Sequence, residues 1–140
     1  MLAEICVLSA SPTLAVELEG ALGDDRVCFE PVLTAEEAIE RASCGCSAAI
    51  LLDEEPPDMP AAELLRRVRS RACGREALVV FLSSRTTEID RVIAFELGAD
   101  DFIPTPIGAR ELALRLRAVL RRHRDERTRV HELRAGPFVI

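Results

Sequence analysis

The stretch Ala48-Ala49-Ile50-Leu51-Leu52-Asp53 is a short apolar run that ends in a carboxylate. A continuous run of this length predicts a strand that is buried on both faces of a parallel sheet. The carboxyl ends of such strands form the edge where open α/β sheets bind their ligands. We therefore predict a strand at 48–53, with Asp53 at the centre of a chemical site.

Four other apolar runs have the length of a buried strand, and they lie at 5–8, 27–29, 78–82 and 101–104. Residues at helical spacing separate the runs. The fourth helical segment is marked by Ile89, Val92, Ile93 and Leu97, with Gly98 as its stop. Strict alternation of five strands with five helices predicts an α/β, flavodoxin-like doubly wound parallel sheet with strand order 2-1-3-4-5.

The composition suits one globular domain plus a tail, and no apolar run approaches the length of a membrane span. The first residues lack the positive region of a secretory signal, so we expect a cytoplasmic protein with no membrane partner. All 18 basic residues are arginine, and the net charge is −6. Residues 1–104 contain nine arginines and 20 acids, whereas residues 105–140 contain nine arginines and four acids. The basic tail is either a solvated helix end or a segment that lies near nucleic acid.

Three motifs accompany Asp53 at the predicted strand ends. Pro57-Asp58-Met59 follows the third strand, Leu82-Ser83-Ser84 ends the fourth, and Leu97-Gly98-Ala99-Asp100-Asp101-Phe102 leads into the fifth. On these motifs, about residues 3–123 resemble the receiver domains of two-component response regulators. The resemblance covers most of the chain, and it implies a signalling protein rather than an enzyme.

The resemblance also implies a role for each residue at the predicted edge of the sheet. Asp53 matches the aspartate that accepts a phosphoryl group from a histidine kinase, which is the partner expected for such a domain. Ser83 and Phe102 match the two switch positions. Pro106 matches a proline whose peptide bond with the preceding residue, here Thr105, is cis.

The groups that this family places around its aspartate are replaced in this chain. Ser9 and Ala10 stand where the family has an acidic pair, and Thr105 stands where it has a lysine. With one carboxylate and no ammonium, we expect Mg²⁺ binding to be weak or absent, and we expect no other cofactor. Losing one electrostatic stabiliser lowers the rate of a catalysed reaction by about 10²–10³. This chain lacks both the metal site and the lysine, so phosphorylation of Asp53 should be negligible.

Two interpretations of Asp53 stay open. It is either a vestigial acid, hydrogen-bonded by Ser9, Thr105 or backbone amides, or a working acceptor with unusual metal help, for example from Glu54 and Glu55. We favour an atypical receiver that works without phosphorylation. The rival classes are a stand-alone adaptor that binds another protein and a flavin-type cofactor protein. Trp, Tyr and a phosphate-binding glycine motif are absent from the sequence, which disfavours the second rival.

A fixed surface would carry the output of such a receiver. In winged-helix regulators of the OmpR type, the fourth helix, fifth strand and fifth helix form a twofold interface, so the resemblance implies a constitutive homodimer. The charged positions of that interface keep the family's sign, and they are Arg91, Glu96, Asp100, Asp101, Glu111, Arg115 and Arg117. The expected apolar contact is Phe95 beside Ala113 and Leu116, and the alternative is a Phe95 that tucks into the domain edge.

The end of the chain predicts a further division. Residues 1–123 form the predicted receiver domain, 124–134 a charged linker, and 135–140 the start of a C-terminal effector domain. The effector assignment rests on 134–140, which resembles the opening strand of that domain in OmpR-type regulators. We expect DNA binding only through an effector domain that this chain does not contain. The alternative for 124–134 is a continuing amphipathic helix with Val130 and Leu133 on its apolar face.

Overall fold

A five-stranded sheet forms the centre of the molecule. The computed structural model describes residues 3–11, 13–22, 27–44, 47–53, 56–70, 77–83, 92 and 94–135. The strands are β1 (Ala3–Ser9), β2 (Val27–Val32), β3 (Ala49–Asp53), β4 (Leu78–Ser83) and β5 (Asp101–Pro104). All neighbouring strands are parallel and their order is β2-β1-β3-β4-β5, which confirms the predicted doubly wound sheet.

Helices cover both faces of this sheet. They are α1 (Leu14–Leu22), α2 (Ala35–Ser43), α3 (Ala61–Ser70) and a C-terminal helix (Ala109–Ala135). Most of the predicted fourth helix lies outside the described residues, but 92 and 94–96 are helical and a turn follows at 97–98. Gly98 has a φ of 107°, a conformation that side chains disfavour, so this segment ends at the predicted stop.

Alternation along the central strands divides the core into two layers. In β1, Ile5 and Val7 pack towards α1 and the C-terminal helix, whereas Cys6 and Leu8 pack towards α2 and α3. Successive side chains of a strand point to opposite faces, so a strand that is apolar throughout must be covered on both sides. The parallel register places β1 next to β3 and brings the carboxyl ends of both strands to one edge.

The predicted core stripe of the fourth helix differs from the structure. Val92 and Leu97 are exposed, Leu97 to 42%, whereas Ala94 is buried. The turn at 97–98 takes Leu97 off the helical period, because a residue keeps its face only while the helix continues. The prediction that Leu97 marks a core stripe was therefore wrong.

Two residues assigned to the dimer interface are in the core instead. Ala113 and Leu116 are 0% and 2% exposed, and they pack in the layer that also contains Leu18 of α1. The apolar stripe of the C-terminal helix faces the sheet, as the hydrophobic effect requires of an amphipathic surface helix. The burial of Ala113 and Leu116 in the monomer therefore does not fit their predicted place in the dimer contact beside Phe95.

The C-terminal helix continues through 124–134 and ends at Ala135. These residues, predicted as a charged linker, have a helical backbone rather than an irregular one, as in the alternative of a continuing helix. The predicted effector strand at 135–140 lies outside the described residues, except for the last helical residue, Ala135. The division into receiver, linker and effector stays a prediction. Within the described ranges, no helix is both long and apolar enough to cross a bilayer.

Candidate functional site at the carboxyl ends of the strands

Ser9 and Asp53 form the centre of the candidate site. They are the last residues of β1 and β3, and the parallel register pairs them directly. The Ser9 hydroxyl donates a hydrogen bond to Asp53 Oδ2 at 2.6 Å. Bonds to an ionised carboxylate are short and stronger than neutral ones. The carboxylate at the strand end is therefore held by a neighbouring side chain of the same edge.

The Ser9 hydroxyl also fixes the loop that follows it. Its Oγ accepts a hydrogen bond from the Ser11 amide at 3.0 Å while donating to Asp53. A serine hydroxyl has one proton, so its single donor is committed to the aspartate. Thr13 continues the chain of hydroxyls, with 3.2 Å between Ser11 Oγ and Thr13 Oγ1. Ser9 thus links β3 to the start of α1.

The other two strand ends bring further hydroxyl groups to this edge. Ser83 ends β4, where the register pairs it with Pro104 of β5. The Thr105 amide donates to the Ser83 carbonyl at 3.0 Å, which extends the pairing of β4 and β5 by one residue. The peptide bond between Thr105 and Pro106 is cis, as the resemblance implies.

Phe102, the second predicted switch residue, is half-buried in β5. Its register partner is Phe81 of β4. The Phe102 amide donates to Asp101 Oδ1 at 2.8 Å, so the Asp101 carboxylate folds back onto its own strand. The predicted switch residues Ser83 and Phe102 therefore both belong to the β4–β5 side of the site.

The donors that the structure describes at this edge do not fit a divalent metal. Mg²⁺ requires hard oxygen ligands and is usually held by one or two carboxylates. Asp53 supplies one carboxylate, Ser9 a hydroxyl that is already committed, and Ala10 no side-chain donor. In the described part of the chain, no three His, Cys, Asp or Glu residues cluster in a way that could hold a metal ion. Glu54 and Glu55, the residues considered for metal help, lie outside the described residues.

The loop after Asp53 is tied to α2 by a side chain that the sequence did not single out for this role. The Asp58 carboxylate accepts the Ala35 amide at 2.8 Å and the Glu36 amide at 3.1 Å. The first amides of a helix have no partner within the helix, so a carboxylate at that end satisfies them. Burial alone would raise the pKa of Asp58, but these amide bonds together hold its pKa below the usual value.

Apart from Ala113 and Leu116 in the core, the predicted dimer residues divide into three groups. Exposed in the structure are Phe95, at 48%, together with Glu96, Glu111 and Arg115. Phe95 is thus about half covered by the domain, and the choice between a dimer contact and a Phe95 that tucks into the domain edge stays open. The second group is engaged within the domain. Asp101 and Arg117 are partly covered, and Asp100 makes an ion pair with Arg69 at 2.7 Å. Arg91 lies outside the described residues.

Comparisons with known proteins agree with the fold. No protein-family model matches the chain. The sensory transduction protein RegX3 of Mycobacterium leprae is 39% identical over 91 residues, which is 64% of this chain and 44% of that protein. This chain therefore spans less than half the length of that curated relative.

Solved receiver structures superpose on the chain over most of its length. The non-phosphorylated HemR receiver domain of Leptospira biflexa has a TM-score of 0.71 at 25% identity, covering 84% of this chain and 94% of that one. The chemotaxis response regulator CheY4 of Vibrio cholerae has a TM-score of 0.74 at 19% identity, covering 85% and 99%. The second likeness is one of fold alone. In its sheet order, its strand-end aspartate and the relatives it matches, the chain is similar to response-regulator receiver domains.

Proposed function

We propose that this receiver domain works without phosphorylation of Asp53 and that a fixed surface carries its output. The observation that supports this is the 2.6 Å hydrogen bond from Ser9 to Asp53. The group that bonds the Asp53 carboxylate is therefore a neutral hydroxyl. Phosphoryl transfer to this carboxylate would instead require positive charge at the same edge. Catalysis of phosphoryl transfer is almost entirely positioning and charge neutralisation. Ser9, Ala10 and Thr105 supply neither a second carboxylate for a metal nor an ammonium.

Incubation with acetyl phosphate and Mg²⁺, read by intact mass, tests this proposal. We expect no phosphoryl adduct that depends on Asp53. A matched positive control restores the family's groups in the variant Ser9→Asp, Ala10→Asp, Thr105→Lys, which should gain one phosphoryl group and lose it again with Asp53→Asn. A stoichiometric adduct on the wild-type chain that disappears in Asp53→Asn would contradict the proposal.

The proposed fixed surface is a homodimer interface formed by the 94–100 segment, β5 and the C-terminal helix. Phe95, Leu97 and Leu114 are exposed apolar residues on these elements. Glu96, Glu111 and Arg115 provide exposed charges around them. Each exposed ion pair is worth only about 0–1 kcal/mol, so the charges would set the register of the dimer while apolar contact supplies its affinity.

Analytical ultracentrifugation of three proteins decides whether this surface works as proposed. Wild type should sediment as a dimer at micromolar concentration, and Phe95→Asp should be a monomer because it places a charge in the apolar contact. Val16→Asp is the matched control, since Val16 is an exposed apolar residue on α1. A monomeric wild type, or equal weakening by both substitutions, would exclude this interface.

The proposed output of the dimer is transcription regulation through an effector domain that follows the receiver. Its support is the resemblance of 134–140 to an effector strand and the greater length of the RegX3 relative, of which this chain spans 44%. Joining the receiver to a reporter DNA-binding domain that requires dimerisation would test this role. Activity of the fusion with Asp53→Asn, and its loss with Phe95→Asp, is the expected result.

A further inference from the structure

Arg69, near the end of α3, joins three separate parts of the fold. Its Nη1 donates to the Ala77 carbonyl, just before β4, at 2.5 Å. Its Nε and Nη2 donate to the Gly98 carbonyl at 3.2 Å and 2.7 Å. Nη2 also bonds Asp100 Oδ2 at 2.7 Å. A planar guanidinium presents its donors in a rigid fork, so one side chain can hold these groups in a fixed geometry.

Asp100 completes this connection on the side of the sheet. Its Oδ2 accepts the Val79 amide at 2.8 Å as well as the Arg69 bond. The Asp100 amide donates to the Val79 carbonyl at 2.8 Å. The residue that precedes β5 is therefore held to β4 by its backbone and its side chain, and Arg69 bonds the same carboxylate from α3.

The turn between Phe95 and Asp100 leaves room for the Arg69 side chain. The Gly98 amide donates to the Phe95 carbonyl at 3.1 Å, and the Ala99 amide donates to the Ala94 carbonyl at 3.0 Å. A Cβ added to Gly98 would come within 3.3 Å of Arg69 Nε. The absence of a side chain at Gly98 thus allows both the left-handed backbone and the close approach of the guanidinium.

We infer that Arg69 is the positioning residue that holds the 95–100 segment in one conformation, so that Phe95 and Leu97 are presented permanently. The dimer part of this inference rests on the proposed function. In a receiver that undergoes no phosphate-driven rearrangement, this face must be fixed from within the domain. The bonds from Arg69 to Gly98 and Asp100 supply that restraint from the opposite end of the sheet, far along the chain from Asp53.

Hydrogen exchange at individual amides tests the inference independently of the dimer. Three variants are compared with wild type under conditions where all are folded. Arg69→Ala removes every bond of the fork. Asp100→Asn keeps an acceptor for the Val79 amide but loses the ion pair. The control is Arg66→Ala on the same helix, whose side chain bonds Glu63 in the structure.

Arg69→Ala should speed exchange of the Ala99 and Asp100 amides roughly tenfold or more, because local opening loses several charge-assisted bonds. Central amides of β1 and β3 should keep their wild-type rates, which a general loss of stability would not allow. Asp100→Asn should show a smaller effect at the same amides, and Arg66→Ala none. If the wild type is a dimer, Arg69→Ala should also weaken it.

Unchanged exchange at Ala99 and Asp100 in both Arg69→Ala and Asp100→Asn would overturn the inference, as would equal acceleration across the whole sheet. If Arg69→Ala fails to fold, the comparison of Asp100→Asn with Arg66→Ala decides the question. A monomeric wild type would reject the proposed dimer, whereas the exchange pattern would still decide the role of Arg69.

Discussion

The carboxylate of Asp58 accepts a hydrogen bond from the Ala35 amide at 2.8 Å, although the two residues are 23 positions apart in the chain. This contact joins the loop after β3 to the first turn of α2. Asp58→Ala should therefore destabilise the fold by about 1 kcal/mol, the typical effect of a lost helix cap. Urea unfolding at neutral pH measures the difference, with Asp58→Asn as the variant that retains a side-chain oxygen.

The effect of Asp58 should depend on pH with a defined sign. Because amide bonds outweigh the effect of burial, the pKa of Asp58 is lower in the folded state than in the unfolded chain. Its contribution is then fully present above the pKa of an unfolded aspartate, about 3.9, and is lost as the pH falls through the lower folded value. A wild-type advantage over Asp58→Ala that persists unchanged in acid would contradict this explanation.

Ser9 and Asp53 should be energetically coupled. A double-mutant cycle with Ser9→Ala and Asp53→Ala should give a coupling free energy of about 1–2 kcal/mol, because the bond joins a hydroxyl to a charged acceptor in a half-buried position. Thermal or urea unfolding of the four proteins measures it. Additive effects of the two substitutions, within about 0.5 kcal/mol, would mean that the hydrogen bond contributes nothing to stability.

Glu19 protects the outer edge of the sheet. Its Oε2 accepts the Phe29 amide of edge strand β2 at 2.8 Å, and Pro31, on the same side of that strand, has no amide proton. Glu19→Ala should cost about 1 kcal/mol of stability and increase self-association, because a free edge donor invites another strand. Glu19→Gln, which keeps an oxygen acceptor, should do neither. Urea unfolding and light scattering measure both effects, and identical behaviour of the two variants would refute this role.

Cys6 should resist alkylation compared with the exposed Cys44. Burial in the core raises the pKa of the Cys6 thiol to about 11, and only the thiolate reacts. Brief treatment with iodoacetamide at mildly alkaline pH, followed by peptide mapping, should label Cys44 well before Cys6. Rapid labelling of Cys6 in the folded protein would contradict the assigned burial.

The same raised pKa should affect alkaline stability. In the unfolded chain the thiol has a pKa of about 8.5, whereas in the folded protein the pKa of Cys6 is about 11. The stability that Cys6 contributes is therefore complete below the unfolded value and is lost as the pH rises through the folded one. Cys6→Ala should show a shallower decline over this range in urea unfolding.

Much of the fold could be predicted because local patterns decide it. Apolar runs predicted the positions of all five strands, although β1 and β2 are longer than predicted because residues that flank the runs, such as Glu4 and Glu30, also pair with neighbouring strands. Ser9 was among the expected partners of Asp53, since the ends of neighbouring parallel strands must meet. The sequence also predicted an accessible Phe95, which is 48% exposed.

The remaining contacts could not be predicted because they join residues with no local pattern. Arg69 finds its acceptors at positions 77, 98 and 100, and Asp58 finds amides at 35 and 36. One charged side chain on a helix surface resembles any other until the backbone groups around it are placed. Ala113 and Leu116 show the converse, because the family resemblance pointed to an interface whereas the structure buries both side chains in the core.

Because the C-terminal helix is continuous from Ala109 to Ala135, its length fixes the direction in which its last residues face relative to the sheet. From Leu120 to Ala135 the helix advances about 22 Å, at a rise of about 1.5 Å per residue. One inserted residue would turn everything beyond it by about 100°, whereas an insertion of seven would restore the facing direction to within about 20°. The number of residues between the sheet and Ala135 therefore encodes an angle as well as a distance.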